Sequence, residues 1–328
     1  MKEATIMTLF RKGPIKIVLI RQRPAFGDAL LLGPLIQAVR AKHINSHVTV
    51  VTDPNYMAGV LPLIFENIAG VDRVECITSM EWTTEGNKRI DPLLYAAGND
   101  MPYTIRNADI LLDCNSAFID FEREYHGDTP YGITEFWPKY HGYYTSDLDL
   151  MPHFTVSEEN RQSVLEWKET QRIKKPMVGI VLRAGDSVRD WDFNGLCGQL
   201  VDWLHTSGYA PVGIDPIKTL PSIYGHSCIG KRLDYVAALL EQCKLVITPD
   251  TGLLHLAQAV ETRTVALWGI MRPELRVKGY NCRVVPEKSL GYCADEDQRC
   301  NRCWKFQRWS CLKRLTLPMV LAGLQESL

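Results

Sequence analysis

The stretch "KLVITPDTGLLHLAQAV", Lys244 to Val260, decides how this chain is read. Its first six residues form a short apolar run that ends at Pro249, the pattern of a buried strand. Asp250, Thr251 and Gly252 make a polar turn. Leu253, Leu256, Ala257 and Val260 then recur at helical spacing, with His255 one turn in. A strand that opens through a tight polar corner into a helix is half of a βαβ unit, the building block of parallel sheets.

The same pattern repeats along the chain. "IKIVLIR" (15–21) leads into "DALLLGPLIQAVRAK" (28–42), where Leu31, Leu35 and Val39 predict a helix. "HVTVVTD", a helical stretch across Val60–Phe65, "RVECI" and "DILLDC" (109–114) continue the alternation. From about 115 to 155 it breaks into a long segment rich in Phe, Tyr and Trp, read as a loop whose aromatics either cover the sheet or line an acceptor wall. A polar helix follows, with Ser157 as its cap. The alternation restarts with "MVGIVLR" (177–183), a helix around 193–206, "APVGI" (210–214), "LDYVAALLEQC" and "TVALWG" (264–269). "LPMVLAGLQESL" closes the chain as a short amphipathic helix. The 328 residues are therefore expected to form two α/β domains.

Bulk properties narrow the function classes. A net charge of -1 gives no global attraction to nucleic acid or anionic membrane, so any such affinity needs a local patch. The N-terminal apolar runs are interrupted by Arg11, Lys12 and Lys16, unlike a signal peptide, and no apolar run is long enough to span a bilayer. A cytoplasmic address with reduced thiols is the expectation.

Three turns can carry chemistry. In open α/β sheets, ligands bind beyond the carboxyl ends of strands, where helix N-termini present backbone N–H groups. At the corner of the opening stretch, Asp250 or Thr251 can cap the helix, and Gly252 allows close backbone approach. His255, at the positive helix end, is expected neutral and hydrogen-bonding. A diphosphate suits this pocket. The alternative is that Asp250 is only a cap and His255 only a satisfied partner of a nearby loop. The second turn, "RQRPAFGD", places Asp28 at a helix mouth, either as a favourable N-terminal anion or as a general base facing a cleft. In the third, "VLRAGDSVRDWDFNGL" (181–196), Arg183 and Arg189 either clamp phosphate oxygens or pair with Asp186, Asp190 and Asp192.

Taken together, in order and spacing, the three turns resemble glycosyltransferase family 9, the lipopolysaccharide heptosyltransferase family. "RQRPAFGDALLLGPLIQAVR" is similar to its first-domain signature and "VLRAGDSVRDWDFNGLCGQL" to its second-domain loop. "DTGLLHLAQAVETRTVALWG" is similar to its Asp-Ser/Thr-Gly-x-x-His-Leu-Ala pattern with the strand that follows. The resemblance implies a GT-B architecture: two Rossmann-like α/β domains facing across a cleft, with a C-terminal crossing helix. The implied division is an acceptor domain over 1–155, a linker helix over 156–175, a nucleotide-sugar domain with a cysteine-rich tail over 176–315, and the final helix over 316–328.

By the same resemblance, the donor is a nucleoside-diphosphate sugar and the reaction an inverting transfer to a hydroxyl, with no catalytic metal. Asp28 would be the general base. Arg183, Arg189, Asp250, Thr251, Gly252 and His255 would hold the donor, with Arg189 where the family usually has lysine. The family's Gly and Glu after the next strand have no match in "IDPIKTLPSIYGHS", where Asp215 stands instead, and the sugar is left unassigned.

The tail remains. Cys293, Cys300, Cys303 and Cys311 lie within nineteen residues and either close a thiolate site for structural zinc or iron or stay free. Six basic residues and no acid between Arg299 and Arg314, interleaved with Trp304, Phe306 and Trp309, read as a solvated face or as a surface for an anionic acceptor. The acceptor would be a lipopolysaccharide core, a protein or a nucleic acid, with at most peripheral membrane contact.

Overall fold

The structure is a computed structural model that describes residues 13–21, 24–55, 59–77, 103–114, 132–184, 189–191, 195–215, 226–269, 273–286 and 312–328. Its first half runs β1 (Ile15–Ile20), α1 (Phe26–Leu30), α2 (Gly33–Lys42), β2 (Ser46–Thr52), α3 (Val60–Asn67), β3 (Arg73–Cys76), α4 (Tyr103–Arg106), β4 (Ile110–Asp113) and α5 (Ile133–Tyr140). Helix α6 (Glu158–Thr170) leads into the second half. This runs β5 (Met177–Ile180), α7 (Leu196–Thr206), β6 (Ala210–Asp215), β7 (His226–Ile229), α8 (Leu233–Glu241), β8 (Cys243–Pro249), α9 (Gly252–Ala259), β9 (Thr264–Leu267), α10 (Pro273–Arg276) and β10 (Cys282–Val285). A short 3₁₀ turn (Leu312–Arg314) and α11 (Leu317–Gln325) complete it.

Both sheets are parallel throughout, in the orders β3-β2-β1-β4 and β10-β9-β8-β5-β6-β7. Counted from its own first strand, the second sheet has the doubly wound order 3-2-1-4-5-6 of a dinucleotide-binding fold, and the first sheet has its first four strands. The strand order reverses between β1 and β4 in one sheet and between β5 and β8 in the other. Those crevices are where such sheets bind ligands.

The apolar runs form strands because each feeds two cores at once. In β1, Ile17 and Leu19 face a core shared by both halves, whereas Val18 and Ile20 face a smaller outer core with Val51, Ile77 and Ile105. In β8, Val246 joins the shared core while Leu245 and Ile247 join the outer layer formed with α7 and α11. Side chains that alternate between two buried faces explain why these strands read as unbroken apolar runs. The shared core extends through Ala29 of α1, Ile64 of α3, Leu239 of α8 and Leu256 of α9, so the two halves meet on apolar helix faces. Helix α6 is capped by Ser157, whose Oγ accepts from Asn160 N at 3.2 Å. Helix α11 packs against β9, β10 and α7 on the second sheet.

Four features differ from the sequence expectation. The helix expected over 28–42 is split, with a turn at Leu31–Leu32 and a restart at Gly33-Pro34, which puts the proline in the first turn, where its missing N–H costs nothing. The aromatic segment contains α5, where Phe136 and Trp137 are buried and Pro138 sits inside the helix. The mixture of aromatics and proline hid its helical period. Strands β7 and β10 are short edge strands that lack the long apolar run of the central ones. Phe154, from the same aromatic segment, is buried beside its bridge to Ile68, while Phe118, Phe121, Tyr125 and Tyr131 lie outside the described residues. No helix among the described residues is long and apolar enough to cross a membrane.

A polar clasp at α5 also ties the halves together. Glu135 is buried, and its carboxylate accepts from Gly132 N at 3.0 Å, from Lys278 Nζ at 2.9 Å and from Tyr144 Oη at 3.2 Å, with Lys139 Nζ at 3.7 Å. Burial alone pushes this carboxyl's pKa up. The bonds from Lys278 and the Gly132 amide and the charge of Lys139 outweigh burial and hold it below the ordinary 4.5. A carboxylate with a depressed pKa contributes stability above its unfolded value, and that contribution is lost as pH falls through the folded value. Glu135→Gln should therefore cost about 1–2 kcal/mol in urea unfolding at pH 7, since both lysines are partly solvated. The gap to the wild type should close as pH drops below 4.5. A gap that stays constant down to pH 3 would show that the ion pair contributes nothing.

Candidate active site

Two strand–turn–helix corners face each other between the sheets. One is β1–α1, carrying Phe26, Gly27 and Asp28; the other is β8–α9, carrying Asp250, Thr251, Gly252 and His255. They meet at their glycines. A Cβ on Gly27 would stand 2.8 Å from His255 Cδ2 and 2.9 Å from Gly252 Cα. A Cβ on Gly252 would stand 2.1 Å from Phe26 Cζ. Real Cβ atoms do not approach that closely, so only glycine at both positions lets the corners close.

The first corner is fixed from below by Arg21, at the end of β1. Its side chain is buried, Nη1 donates to Cys114 O at 3.3 Å across the β1–β4 crevice, and its guanidinium lies 5.1 Å from the centre of the Trp137 ring. Asp28, in the first turn of α1, is reached from the second half by Arg276 of α10, with Nη1 3.4 Å from Oδ1.

The second corner sits at the β5–β8 crevice of its sheet. Thr251 occupies the N-cap position of α9 in extended conformation; its carbonyl accepts from Leu254 N at 2.9 Å, but its side chain makes no capping bond to the amides of the first turn. Asp250, expected as an alternative cap, instead receives Arg189. That guanidinium donates through Nη1 to Asp250 O at 2.8 Å and lies 3.5 Å from Oδ2. The loop holding Arg189 is anchored by Asp190, whose Oδ1 accepts from Ala184 N at 3.0 Å, and by Trp191, buried with Nε1 on Val181 O at 2.7 Å. Arg183 lies one strand over, 3.9 Å from the buried carboxylate of Asp215 at the end of β6. Arg189 thus joins Asp250, Thr251, Gly252 and His255, whereas Arg183 pairs beside them. Asp186 and Asp192 lie outside the described residues.

His255 is buried, with Nδ1 2.8 Å from Tyr280 Oη. Burial pushes its pKa down to about 4; the carboxylates of Asp250 and Asp28 pull upward and the charges of Arg276 and Arg189 downward. The imidazole is neutral at neutral pH, as its place at a helix N-terminus requires. Asp28, Arg276, Arg189, Asp250, His255 and Tyr280 form one mixed-charge cluster between the halves. Sequence reasoning missed Arg276 and Tyr280, because "RPELRVKGYN" carries no pattern of its own. The signal was positional, since it follows the strand-end "ALWG" of the same sheet.

Cys293, Cys300, Cys303 and Cys311 lie outside the described residues, as do Trp304, Phe306 and Trp309 of the basic tail. Among the described residues, no group of three or more His, Cys, Asp or Glu side chains is placed to hold a metal ion.

The glycine contact makes its own prediction. Gly252→Ala should destabilise the protein by about 1–3 kcal/mol, the usual cost of overpacking a close contact. Combined with Phe26→Ala, most of that cost should disappear, because the atom it collides with is gone. Thermal unfolding of the two single variants and the double variant measures this; simple additivity would mean that the corners do not touch.

Comparison with known proteins bears on the family and the fold. The family model of glycosyltransferase family 9 (heptosyltransferase) matches residues 228–302, the region that contains β8, α9 and Tyr280. Lipooligosaccharide heptosyltransferase 2 of Haemophilus influenzae is 30% identical in an alignment 144 residues long that covers 38% of this chain and 41% of that protein, so the match spans less than half of either. Two solved structures share the fold across nearly the whole chain. A glycosyl transferase family 9 protein from Veillonella parvula has a TM-score of 0.68 at 14% identity, covering 96% of this chain and 97% of its own. The E. coli ADP-heptose lps heptosyltransferase II has a TM-score of 0.64 at 18% identity, covering 95% and 98%. The resemblance to glycosyltransferase family 9 thus has a sequence match over residues 228–302, and the fold shared with the two solved structures is GT-B.

Proposed function

We propose that the chain is an inverting glycosyltransferase that moves a sugar, heptose or a related one, from a nucleoside-diphosphate donor to a hydroxyl acceptor. The observation that carries this reading is the direct apposition of the Asp28 corner to the Asp250–His255 corner, seen in the contact of Gly27 with His255 and of Arg276 with Asp28. A carboxylate and a helix N-terminus of eight residues, on opposite sheets and within reach of one another, suit a reaction that needs a base on one side and a leaving anion on the other.

In the step proposed, the acceptor oxygen attacks the anomeric carbon while its proton passes to Asp28. The bond from that carbon to the diphosphate breaks, and configuration inverts. Negative charge grows on the leaving oxygen. The first-turn amides of α9, the neutral His255 and the cations Arg189 and Arg183 are the groups to receive it. Arginine in place of the family's lysine at position 189 keeps the charge and offers two parallel donors. Because the E. coli relative acts with ADP-heptose, that compound is the first donor to offer.

The acceptor is proposed to be anionic. The basic, aromatic stretch from Arg299 to Arg314 supports a phosphorylated glycolipid core, and equally a nucleic-acid base as the alternative acceptor. Strong weakening of DNA binding with rising salt would favour the latter.

Incubation with a panel of nucleotide sugars should reveal release of one nucleoside diphosphate, faster with acceptor present. Asp28→Asn should lower the transfer rate about 10²–10⁴-fold, the usual contribution of a positioned general base, while leaving donor affinity within a few fold. Retained transfer in Asp28→Asn would remove the assigned base. Binding without any turnover in the wild type would instead indicate a sugar-nucleotide binding module.

A further inference from the structure

We infer that Tyr280 is a positioning residue that fixes the tautomer of His255, so that the imidazole presents Nε2–H, and not a bare nitrogen, to the cleft between the two halves. The inference rests on the functional reading above only for what that hydrogen meets, which would be an oxygen of the diphosphate.

The two edges of the His255 ring face different halves of the molecule. Nδ1 lies 2.8 Å from the Tyr280 hydroxyl, within the second half. The opposite edge faces α1 of the first half, since a Cβ built on Gly27 would stand 2.8 Å from Cδ2, the carbon bonded to Nε2. Whatever proton state Tyr280 imposes on Nδ1 is therefore read out as the reverse state at Nε2, on the cleft side.

The chemistry of the pair sets the direction of the bond. A phenol hydroxyl is a good donor and a weak acceptor, whereas a neutral imidazole nitrogen is a strong acceptor. With the phenol donating to Nδ1, both groups use their preferred role and the ring's one hydrogen sits on Nε2. The reverse arrangement would spend the ring hydrogen on a weak acceptor and turn a lone pair toward the place assigned to an anion. Tyr280 stays protonated, because burial pushes its pKa well above the ordinary value, so its hydroxyl hydrogen is always available.

The backbone beside Tyr280 is also held in place, by α9 and β9. Gln258, one turn after His255 on α9, donates from Nε2 to Asn281 O at 3.2 Å and to Thr264 Oγ1 at 2.9 Å. Asn281 O also accepts from Thr264 N at 3.2 Å. The residue next to Tyr280 is thus fastened to α9 and to β9. The rings of His255 and Tyr280 meet edge-on, with centres 5.7 Å apart and planes at 77°. Fastening of this kind belongs to a residue that aims another side chain.

The test is a histidine nitrogen spectrum. In protein labelled with ¹⁵N-histidine, long-range ¹H–¹⁵N correlation at pH 7 distinguishes protonated from bare ring nitrogens, and His255→Gln identifies the signals by their absence. The expected result is a bare Nδ1 and a protonated Nε2 in the wild type. In Tyr280→Phe, the two tautomers should interconvert, with averaged nitrogen shifts. A protonated Nδ1 in the wild type overturns the proposal, as does a spectrum of Tyr280→Phe that equals the wild type. Affinity for ADP, GDP, UDP and CDP is measured on the same samples. For whichever of these binds, Tyr280→Phe should weaken binding about 3- to 10-fold, the range for one hydrogen bond lost or misdirected. A locked tautomer in a protein that binds none of the four upholds the role of Tyr280 and instead counts against the diphosphate reading.

Discussion

The contact of α1 with α9 is the constraint on which the rest of this molecule depends. Two glycines, Gly27 and Gly252, remove the side chains that would hold the corners apart, and the Phe26 ring and the edge of His255 fill the space so gained. Without that closeness, Asp28 and the helix N-terminus at Gly252 would belong to separate domains with no shared chemistry. With it, one apolar core runs through both halves, and a mixed-charge cluster sits at its rim. Close approach of this kind is tightly specified, because in interiors packed to crystal density even one added carbon is felt.

The segment from Pro273 to Tyr280 is the second tie. From the second half it sends Arg276 to Asp28 and Lys278 to Glu135, and it keeps Tyr280 on His255. The residue assigned as base and the residue assigned to the leaving group are therefore positioned by one short stretch of chain. Any movement between the halves would be felt at both ends of the cluster together.

Much of the architecture was legible because parallel strands buried on both faces leave an unmistakable trace. Runs such as residues 17–20 and 245–247 cannot alternate with polar residues when two cores claim every position. The two corners that face each other were visible too, as an echo between "KIVLIRQRPAFGD" and "KLVITPDTG". Helix α5 was not legible, because its aromatics and Pro138 obscure a helical period. Nor were β7 and β10, whose edge positions ask for few apolar residues. Within the site, the sequence pointed to Asp28, Arg189, Asp250, Thr251, Gly252 and His255 as separate turns, and the structure brings these together while pairing Arg183 with Asp215. Arg276 and Tyr280 reach the cluster only through the path of the chain after β9, and three-dimensional proximity of that sort leaves no local pattern to read.

The central claim is that the anion of the donor rests at the N-terminus of α9, in the crevice between β5 and β8. A crystal structure of the protein with the nucleoside diphosphate that it binds most tightly tests this directly. The expected result is a phosphate oxygen within hydrogen-bond distance of the backbone N–H groups that follow Thr251, with the Arg189 guanidinium and His255 Nε2 turned toward the same group. Phosphates bound instead at the β1–β4 crevice, or on the surface away from α9, would contradict it.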